Sequence, residues 1–498
     1  MSFCNRPTIA TLMQTCRTLY REGPRFLLDR QVVMWGSDRQ VASFCLFMLC
    51  GEGQRLRHLR KLAIVPGDIS RQTSKALAVV LEDATNLEEL TFHSSESILS
   101  AHHKIPRALS RIKSLRRLTL LDAGKVTCQS LRQIAVPLEY LKLTYGFDDL
   151  LTLRQALQPA EEQQYHPVVL CAGVAASLKE LCIEDWERDI PLLSHDVVYP
   201  NLQHLTLTDD FPLVRPYIRC FPNLNHLTVR MAAVDLKSEL WDRMDSLQHH
   251  RELNVLDQLR YGTWRHLKLF NGGILELFLL GLTCHIEHLS FHGSVERWES
   301  ELLGPILDGA KPQTLELLRI NGDLLDPEES QLLAALREHA AASVTRLSLH
   351  INLTKRDREL DMQDLMEKLF DVLACFHLES LRIAIHTDRY LDPTPTAFPS
   401  FLPDPDDPDG CRFGTPIPPT PHPFMLAEIS LERFDHMDFA QRIAAAVPTV
   451  KSAVVVVQGP RSAGTRVADM RRLENGEVVL SEERSPRSYH VKQLDDRS

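Results

Sequence analysis

One short phrase recurs along most of this 498-residue chain and limits the folds that are open to it. The phrase consists of an apolar residue, two variable residues, a leucine, one variable residue and a further apolar residue. Thirteen copies of one spacing exceed what chance supplies, even in a leucine-rich chain. The central positions of the copies are Leu62, Leu90, Leu118, Leu141, Leu181, Leu205, Leu227, Leu267, Leu289, Leu318, Leu347, Leu381 and, in a weaker form, Ile429.

Each copy predicts one short buried strand, because the central residue and the apolar residue two places later point to the same side of a strand. Patterns typical of helices lie between the copies, for example at Ser74–Asp83, Glu328–Ala341 and Met362–Cys375. Strands that alternate with helices are joined by right-handed crossovers and form parallel sheets. The sequence therefore predicts an α/β solenoid in which each repeat buries its apolar residues against its neighbours.

The array resembles the leucine-rich-repeat family over about residues 56–433, since most successive copies lie 22–29 residues apart. The resemblance implies a curved parallel sheet with helices on the convex side. The family's usual asparagine or cysteine after the strand is absent, and Gly146, Asp210, Gly272 and Asp323 occupy that position in four copies. We therefore expect an irregular solenoid with long excursions at 144–177 and 231–262.

The segment Thr8–Leu28 precedes the repeats and predicts a short amphipathic helix that ends at Gly23-Pro24. It resembles the second half of an F-box, in which the pattern L-x-x-x-C-[RK]-x-[LF] precedes a loop and a bulky closing turn. The leading Leu-Pro and the first helix of an F-box are not matched. The resemblance implies contact with a Skp-type linker protein of a cullin-RING ubiquitin ligase through Leu12, Cys16, Leu19, Tyr20, Phe26 and Leu27. The alternative is a helix that only caps the first repeat.

These patterns divide the chain into four parts. Residues 1–35 form the partial F-box-like helical segment, and residues 36–389 form the solenoid, which starts with a capping helix at Val41–Cys50. Residues 390–424 contain 11 of the 29 prolines and predict a disordered insertion, either a solvated loop or a recognition segment. Residues 425–498 hold the last repeat, a capping hairpin with Asn475-Gly476 at its turn, and a charged tail.

Composition and motifs argue against several classes of function. A net charge of −10 without long basic blocks argues against nucleic-acid binding, and no run of 18 apolar residues suggests a membrane span. Eleven cysteines without a C-x-x-C pair predict reduced, mostly buried thiols of a cytoplasmic or nuclear protein. Because phosphate-binding, hydrolase and zinc motifs are missing from the sequence, we expect no enzyme, no cofactor and no metal.

The residue before the central leucine is predicted to face the concave side of the sheet. It is a histidine in four consecutive copies, namely His204, His226, His266 and His288. Cations flank this column at Lys268, Arg319, Arg346 and Arg382. The column has three interpretations, which are shared repeat ancestry, a strip that binds a partner and is sensitive to pH near 6.5, and a metal site. The cations would suit an acidic or phosphorylated partner.

Taken together, the resemblances imply a non-catalytic adaptor that recruits a protein substrate to a Skp–cullin–F-box-type ubiquitin ligase. The alternative is a leucine-rich-repeat scaffold that does not engage the ubiquitin machinery. A third possibility is a curved repeat protein that wraps and inhibits an enzyme.

Overall fold

A computed structural model describes residues 6–50, 53–146, 163–185, 197–208, 213–231, 244–387, 426–458 and 464–485. The insertion predicted at 390–424 and the tail from residue 486 lie outside the described residues. The chain divides into two compact units, of which the first is Met1–Phe270 with Glu276–Cys284 and the second is Asn271–Leu275 with His285–Ser498. Across the described residues the chain is α/β, with strands that are mostly parallel, as the repeated phrase predicts.

Within its described residues, the first unit has nine strands in the order of the sequence. They are β1 Val32–Met34, β2 Lys61–Ile64, β3 Glu89–Phe92, β4 Arg117–Ala123, β5 Tyr140–Tyr145, β6 Glu180–Glu184, β7 His204–Thr208, β8 His226–Arg230 and β9 His266–Gly272, whose last two residues belong to the second unit. Its helices are α1 Arg6–Met13, α2 Arg17–Leu27, α3 Asp38–Leu49, α4 Arg71–Asp83, α5 Ser95–Ala101, α6 Lys104–Leu109, α7 Lys125–Leu131, α8 Pro167–Leu170, α9 Arg215–Cys220, α10 Met244–Tyr261 and α11 Ile274–Leu280, which starts in the second unit.

The second unit continues the alternation of strand and helix and ends in a hairpin. Its strands are β10 His285–Phe291, β11 Thr314–Asn321, β12 Arg346–Asn352, β13 Ser380–His386, β14 Ser452–Gln458, β15 Thr465–Arg472 and β16 Val478–Ser485. Its helices are α12 Glu299–Ala310, α13 Leu332–Ala335 with a π-helical turn Leu336–Ala340, α14 Met362–Leu373, α15 Leu426–Arg433 and α16 His436–Ala446. Strands β10 to β14 pair in parallel, and β14, β15 and β16 pair antiparallel.

Short 3₁₀ segments lie in the described connections between strands and helices. They are Leu56–His58, Gln163–Tyr165, Ala172–Val174, Gly322–Leu325 and Lys355–Asp357. Among the helices of the described ranges, none has both the length and the apolar character that crossing a bilayer requires.

The core of the first unit consists of two ladders of apolar side chains that run across the sheet in register. The first ladder is Leu62, Leu90, Leu118, Leu141, Leu181, Leu205 and Leu227, and each residue pairs with the next. The residues two places later form the second ladder, from Ile64 to Val229, and both ladders are almost fully buried. Burial of each side chain contributes about 1.5–3 kcal/mol relative to exposure. This confirms the strand positions and the inward face predicted for these seven copies.

Three asparagines add hydrogen bonds between neighbouring repeats of the first unit. Asn86 donates to the carbonyl of Arg57 at 2.8 Å, and Asn201 and Asn223 make equivalent bonds to Ala176 and Pro200 at 2.7 and 2.8 Å. Each asparagine stands directly before the first apolar residue of its phrase. The asparagine side chain therefore donates to a carbonyl in the turn of the preceding repeat, where the carbonyl has no partner within a helix or a strand.

Two copies of the phrase near the unit boundary have a different inward face from the one predicted. In β9, Phe270 is fully buried and Leu269 is half-buried, whereas the phrase predicts Leu269 inward. In β11, Leu317 is buried and Leu318 is half-buried, and a register shift lies between Leu317 and Ile320. In both strands an apolar residue stands next to the predicted one, so the phrase can be aligned in a second frame that turns this neighbour inward.

The thirteenth copy is wrong as a strand prediction. Residues 426–433 form helix α15, in which Leu426 is 49% exposed and Leu431 is buried. The spacing apolar-x-x-apolar-x-apolar is compatible with one turn and a half of helix, so the weak copy does not discriminate between the two structures. The predicted helix at Val41–Cys50 and the hairpin at Asn475-Gly476 are confirmed as α3 and β15–β16, with Gly476 at φ 85°.

Candidate protein-binding surfaces

The solvent-facing side of the first unit's sheet carries a polar row that we call the face row. Its members are Lys61, Glu89, Arg117, Tyr140, Glu180, His204 and His226, which pair in register from β2 to β8. Each precedes the central leucine of its phrase, so it points away from the core. All seven are exposed or half-buried.

Neighbours within the face row contact one another. The Nζ of Lys61 lies 3.0 Å from an Oε of Glu89, and the Arg117 guanidinium lies 3.9 Å from the ring centroid of Tyr140. Burial, together with the charges of Cys182 and Glu180, raises the pKa of Tyr140 to about 12. The Tyr140 hydroxyl is therefore a neutral hydrogen-bonding group at physiological pH.

The far end of the face row is a stacked pair of histidines. The imidazoles of His204 and His226 lie 4.2 Å apart, centroid to centroid, at an interplanar angle of 14°. Burial, and then the nearby charges of His204 and Lys268, lower the pKa of His226. At neutral pH this end of the row therefore presents an aromatic, hydrogen-bonding surface.

The predicted column of four histidines is reduced to this pair. The amide of Leu269 donates to the carbonyl of Asn225 at 3.1 Å. One strand earlier, the amide of His226 makes the equivalent bond to the carbonyl of Gln203. Leu269 therefore takes the place in β9 that His226 has in β8, and His266 lies three residues before it. Both His266 and Lys268 are exposed.

The fourth histidine belongs to the second unit and has an acidic neighbour. The Nε2 of His288 lies 3.4 Å from Oε2 of Glu316, and the same oxygen accepts a hydrogen bond from Ser290 at 2.9 Å. The contact with His288 and the bond from Ser290 lower the pKa of Glu316 although burial opposes the shift. The surroundings of His288 are therefore acidic, unlike the cationic strip that the sequence predicts.

The three predicted arginines lie in different rows of the second unit. Arg346 is exposed and donates from Nε to the hydroxyl of Thr314 at 2.8 Å. Arg382 is half-buried and pairs with Ser348, one row further along the strands. Arg319 is exposed at the register shift of β11, outside both rows.

A second polar group on the first unit's sheet was not predicted. Glu184 accepts hydrogen bonds from Thr144 at 3.0 Å and forms an ion pair of 2.7 Å with Lys142. Burial alone would raise the pKa of Glu184, but these contacts lower it. The signal for the rest of the face row was the periodicity itself, because its members hold the same place in their phrases as the histidines do. Lys142 lies one place after its central leucine, and Thr144 and Glu184 lie three places after theirs.

The N-terminal segment consists of two helices, whereas the sequence predicts one that ends at Gly23-Pro24. Helix α1 ends at Met13, and α2 continues through Gly23-Pro24 to Leu27. The reason is the contact between the two helices, since a Cβ at residue 23 would lie 2.2 Å from Cγ of Met13. A glycine within α2 is what lets the two helices approach.

The residues predicted to contact a linker are only partly available on the surface. Leu12, Leu19, Phe26 and Leu27 are half-buried, and Cys16 and Tyr20 are exposed. The ring of Tyr20 lies 4.8 Å from the Arg55 guanidinium, which also packs 4.1 Å from the ring of Phe47. Tyr20 therefore already has a partner within the chain, while the leucines retain apolar surface that a partner would bury.

Within the described ranges, no cluster of three or more histidine, cysteine or acidic side chains has a geometry that would hold a metal ion. Comparison with known proteins identifies no family whose model matches the sequence, and a search of curated proteins finds no match.

Proposed function

We propose that this chain is a non-catalytic adaptor that binds a protein partner on the solvent-facing side of its sheet and docks on a Skp-type linker of a cullin-RING ubiquitin ligase through α1 and α2. The observation that carries the proposal is the register of the first unit's sheet. It places seven polar side chains, among them Arg117, Tyr140 and two histidines, in one row at a spacing of about 4.8 Å per strand.

The composition of the face row supports partner binding. Arginine and tyrosine are the residue types that contribute most at protein interfaces, and Arg117 and Tyr140 are held against each other at 3.9 Å. Holding the side chains in place beforehand reduces the entropy lost when a partner binds. An adaptor of this kind acts by raising the local concentration of the partner near the ligase.

The half-buried apolar residues of α1 and α2 support the second contact. Leu12, Leu19 and Phe26 each leave part of their surface exposed, and its burial by a linker would be favourable at about 25 cal/mol per Å². The resemblance of this segment to the second half of an F-box names the class of linker.

One observation favours the alternative of a scaffold that does not engage the ubiquitin machinery. Tyr20, a member of the predicted linker-contacting set, covers the buried guanidinium of Arg55 in the same chain. A linker that needs Tyr20 would have to share this ring with Arg55 or displace it.

Binding of the purified chain to a purified Skp-type linker distinguishes the two functions. The adaptor proposal predicts a 1:1 complex by isothermal titration calorimetry and a loss of affinity of at least about tenfold in Leu19→Asp, because a carboxylate would be buried in an apolar contact. Leu473→Asp is the matched control, since Leu473 is 46% exposed in the turn of the terminal hairpin.

An absence of complex, or equal affinity of the wild type and Leu19→Asp, would contradict the adaptor proposal and leave the scaffold. Circular dichroism of each variant verifies that α1 and α2 are retained.

A further inference from the structure

The C-terminal half of helix α10 has an unusual distribution of side chains, with polar groups inward and leucines outward, whereas Leu247 nearer its N-terminus is buried. Asn254 and Gln258 are at most 3% exposed, whereas Leu253, Leu256 and Leu259 are 43%, 60% and 76% exposed. A surface helix ordinarily turns its apolar stripe to the core. We call these three residues the leucine row.

The inward polar side chains fix the helix in this orientation. Asn254 accepts a hydrogen bond from the Val214 amide at 2.9 Å and donates to the Leu279 carbonyl at 2.9 Å. Gln258 donates to the carbonyl of Gly281 at 2.8 Å. The two donated bonds satisfy carbonyls at the C-terminal end of α11, where carbonyls lack partners within the helix, and the accepted bond satisfies the amide before α9.

The connection after α11 also holds α10 closely. Gly281 has φ 54°, and a Cβ there would lie 2.7 Å from Cγ2 of Val255. Rolling α10 to bury its leucines would break the bonds of Asn254 and Gln258 and this contact. The exposure of the leucine row is therefore built into the packing of the first unit.

The leucine row is short and lies along one side of the helix. Residues three apart differ by about 60° around an α-helix, and the row covers about 9 Å of its length. An apolar patch of this size fits a small interface of the weak or transient class.

The charges beside the leucine row indicate what occupies it. Asp245 and Glu252 lie on the same side of α10 toward its N-terminus, and Arg260 lies on that side near its C-terminus. In an antiparallel pair of these helices centred on Leu256, Glu252 is level with Arg260 of the partner subunit. The acidic part of each helix then lies near the basic end of the other, and the helix dipoles are also antiparallel.

We propose that the leucine row of α10 is the contact between two copies of this chain, with the two α10 helices antiparallel and Leu256 on the two-fold axis. Such a contact is self-complementary, as a closed two-fold interface requires.

Sedimentation velocity of the full chain over about a hundredfold range of concentration tests this proposal. The wild type is expected to change from monomer to dimer as its concentration rises. Leu256→Glu is expected to weaken the dimer at least about tenfold, because it places two carboxylates on the axis. Leu426→Glu, at a leucine that is 49% exposed on α15, is the matched control and is expected to dimerise like the wild type.

A charge exchange separates this geometry from a nonspecific apolar contact. Glu252→Arg alone is expected to weaken the dimer, and Glu252→Arg combined with Arg260→Glu is expected to restore it. A wild type that remains monomeric throughout, or a dimer that Leu256→Glu leaves unchanged, would overturn the proposal. A dimer weakened by Leu256→Glu but not restored by the exchange would overturn the antiparallel arrangement.

Discussion

Gln258 shows how much a single buried polar side chain does in this protein. Its Oε1 accepts from the Thr283 amide at 3.1 Å and from the Thr263 hydroxyl at 3.2 Å, while its Nε2 donates to backbone carbonyls, among them that of Gly281. One side chain thus joins α10 to the connection that follows α11. A buried polar residue is retained at low cost only when its partners are all present.

We expect Gln258→Ala to lower the free energy of unfolding by about 3 kcal/mol, because it leaves a buried amide and buried carbonyls unsatisfied. Gln248→Ala on the same helix removes an exposed side chain and should change it by less than about 0.5 kcal/mol. Urea denaturation of both variants measures the difference. Equal stability of the two variants would show that the hydrogen bonds of Gln258 contribute nothing.

The cysteines provide a second prediction at the scale of single residues. Six of the nine described cysteines are buried, which confirms that the described thiols are mostly buried, and burial raises the pKa of Cys220 and Cys284 to about 11. The thiolate is the reactive form, and at pH 8 its fraction falls about two orders of magnitude below that of an ordinary thiol.

Alkylation of the native protein at pH 8, mapped by peptide mass spectrometry, should therefore label Cys16, Cys50 and Cys375 far faster than Cys220 and Cys284. The reaction of the two buried thiols should reach the rate of the others only after unfolding in urea. Rapid native labelling of Cys284 would mean that this part of the first unit opens readily.

Among the elements, β9 tests how the repeated phrase selects its inward residues. Leu267, Leu269 and Phe270 offer two frames, and the structure buries Leu267 and Phe270. The backbone bonds to Asn225 hold β9 in the frame that puts Phe270 in line with Leu227. The larger ring buries more apolar surface than leucine does, which favours this frame.

We expect Phe270→Ala to cost about 3–5 kcal/mol of unfolding free energy, because it leaves a cavity in the core. Leu269→Ala should cost about 1 kcal/mol, since Leu269 is only half-buried. The two variants differ by one position on the same strand, and chemical denaturation measures both. A larger loss of unfolding free energy in Leu269→Ala than in Phe270→Ala would mean that Leu269 is the inward residue, as the phrase predicts.

The strands and the buried ladders from Leu62 to Leu227 were predictable because in each of these copies the frame of the phrase is the one that the structure buries. Where two frames compete, as in β9 and β11, tertiary packing decides, and the pattern does not contain that information. The break between α1 and α2 depends on the contact of Met13 with Gly23, which no periodicity records.

The candidate surfaces were predictable to a similar degree. The position before the central leucine correctly indicates a solvent-facing row, but only His204 and His226 of the four histidines are neighbours in it. The sequence does not single out the row's other members, because their residue types differ from repeat to repeat although their positions do not.

At the scale of the whole molecule, separate parts of the chain have separate tasks in the proposed function. Helices α1 and α2 would contact the linker, and the face row of the first unit would hold the partner. If the two tasks are independent, a substitution that removes the linker contact should leave the partner contact intact, and the reverse should also hold, because well-separated substitutions act additively.

Affinity capture of the tagged full chain, with quantitative mass spectrometry, tests this claim most directly. The account predicts that Leu19→Asp loses the Skp-type linker and keeps the other captured proteins. It predicts that the triple variant Arg117→Ala, His204→Ala and His226→Ala keeps the linker and loses a defined subset of those proteins. Retention of every captured protein by the triple variant, or retention of the linker by Leu19→Asp, would contradict the account.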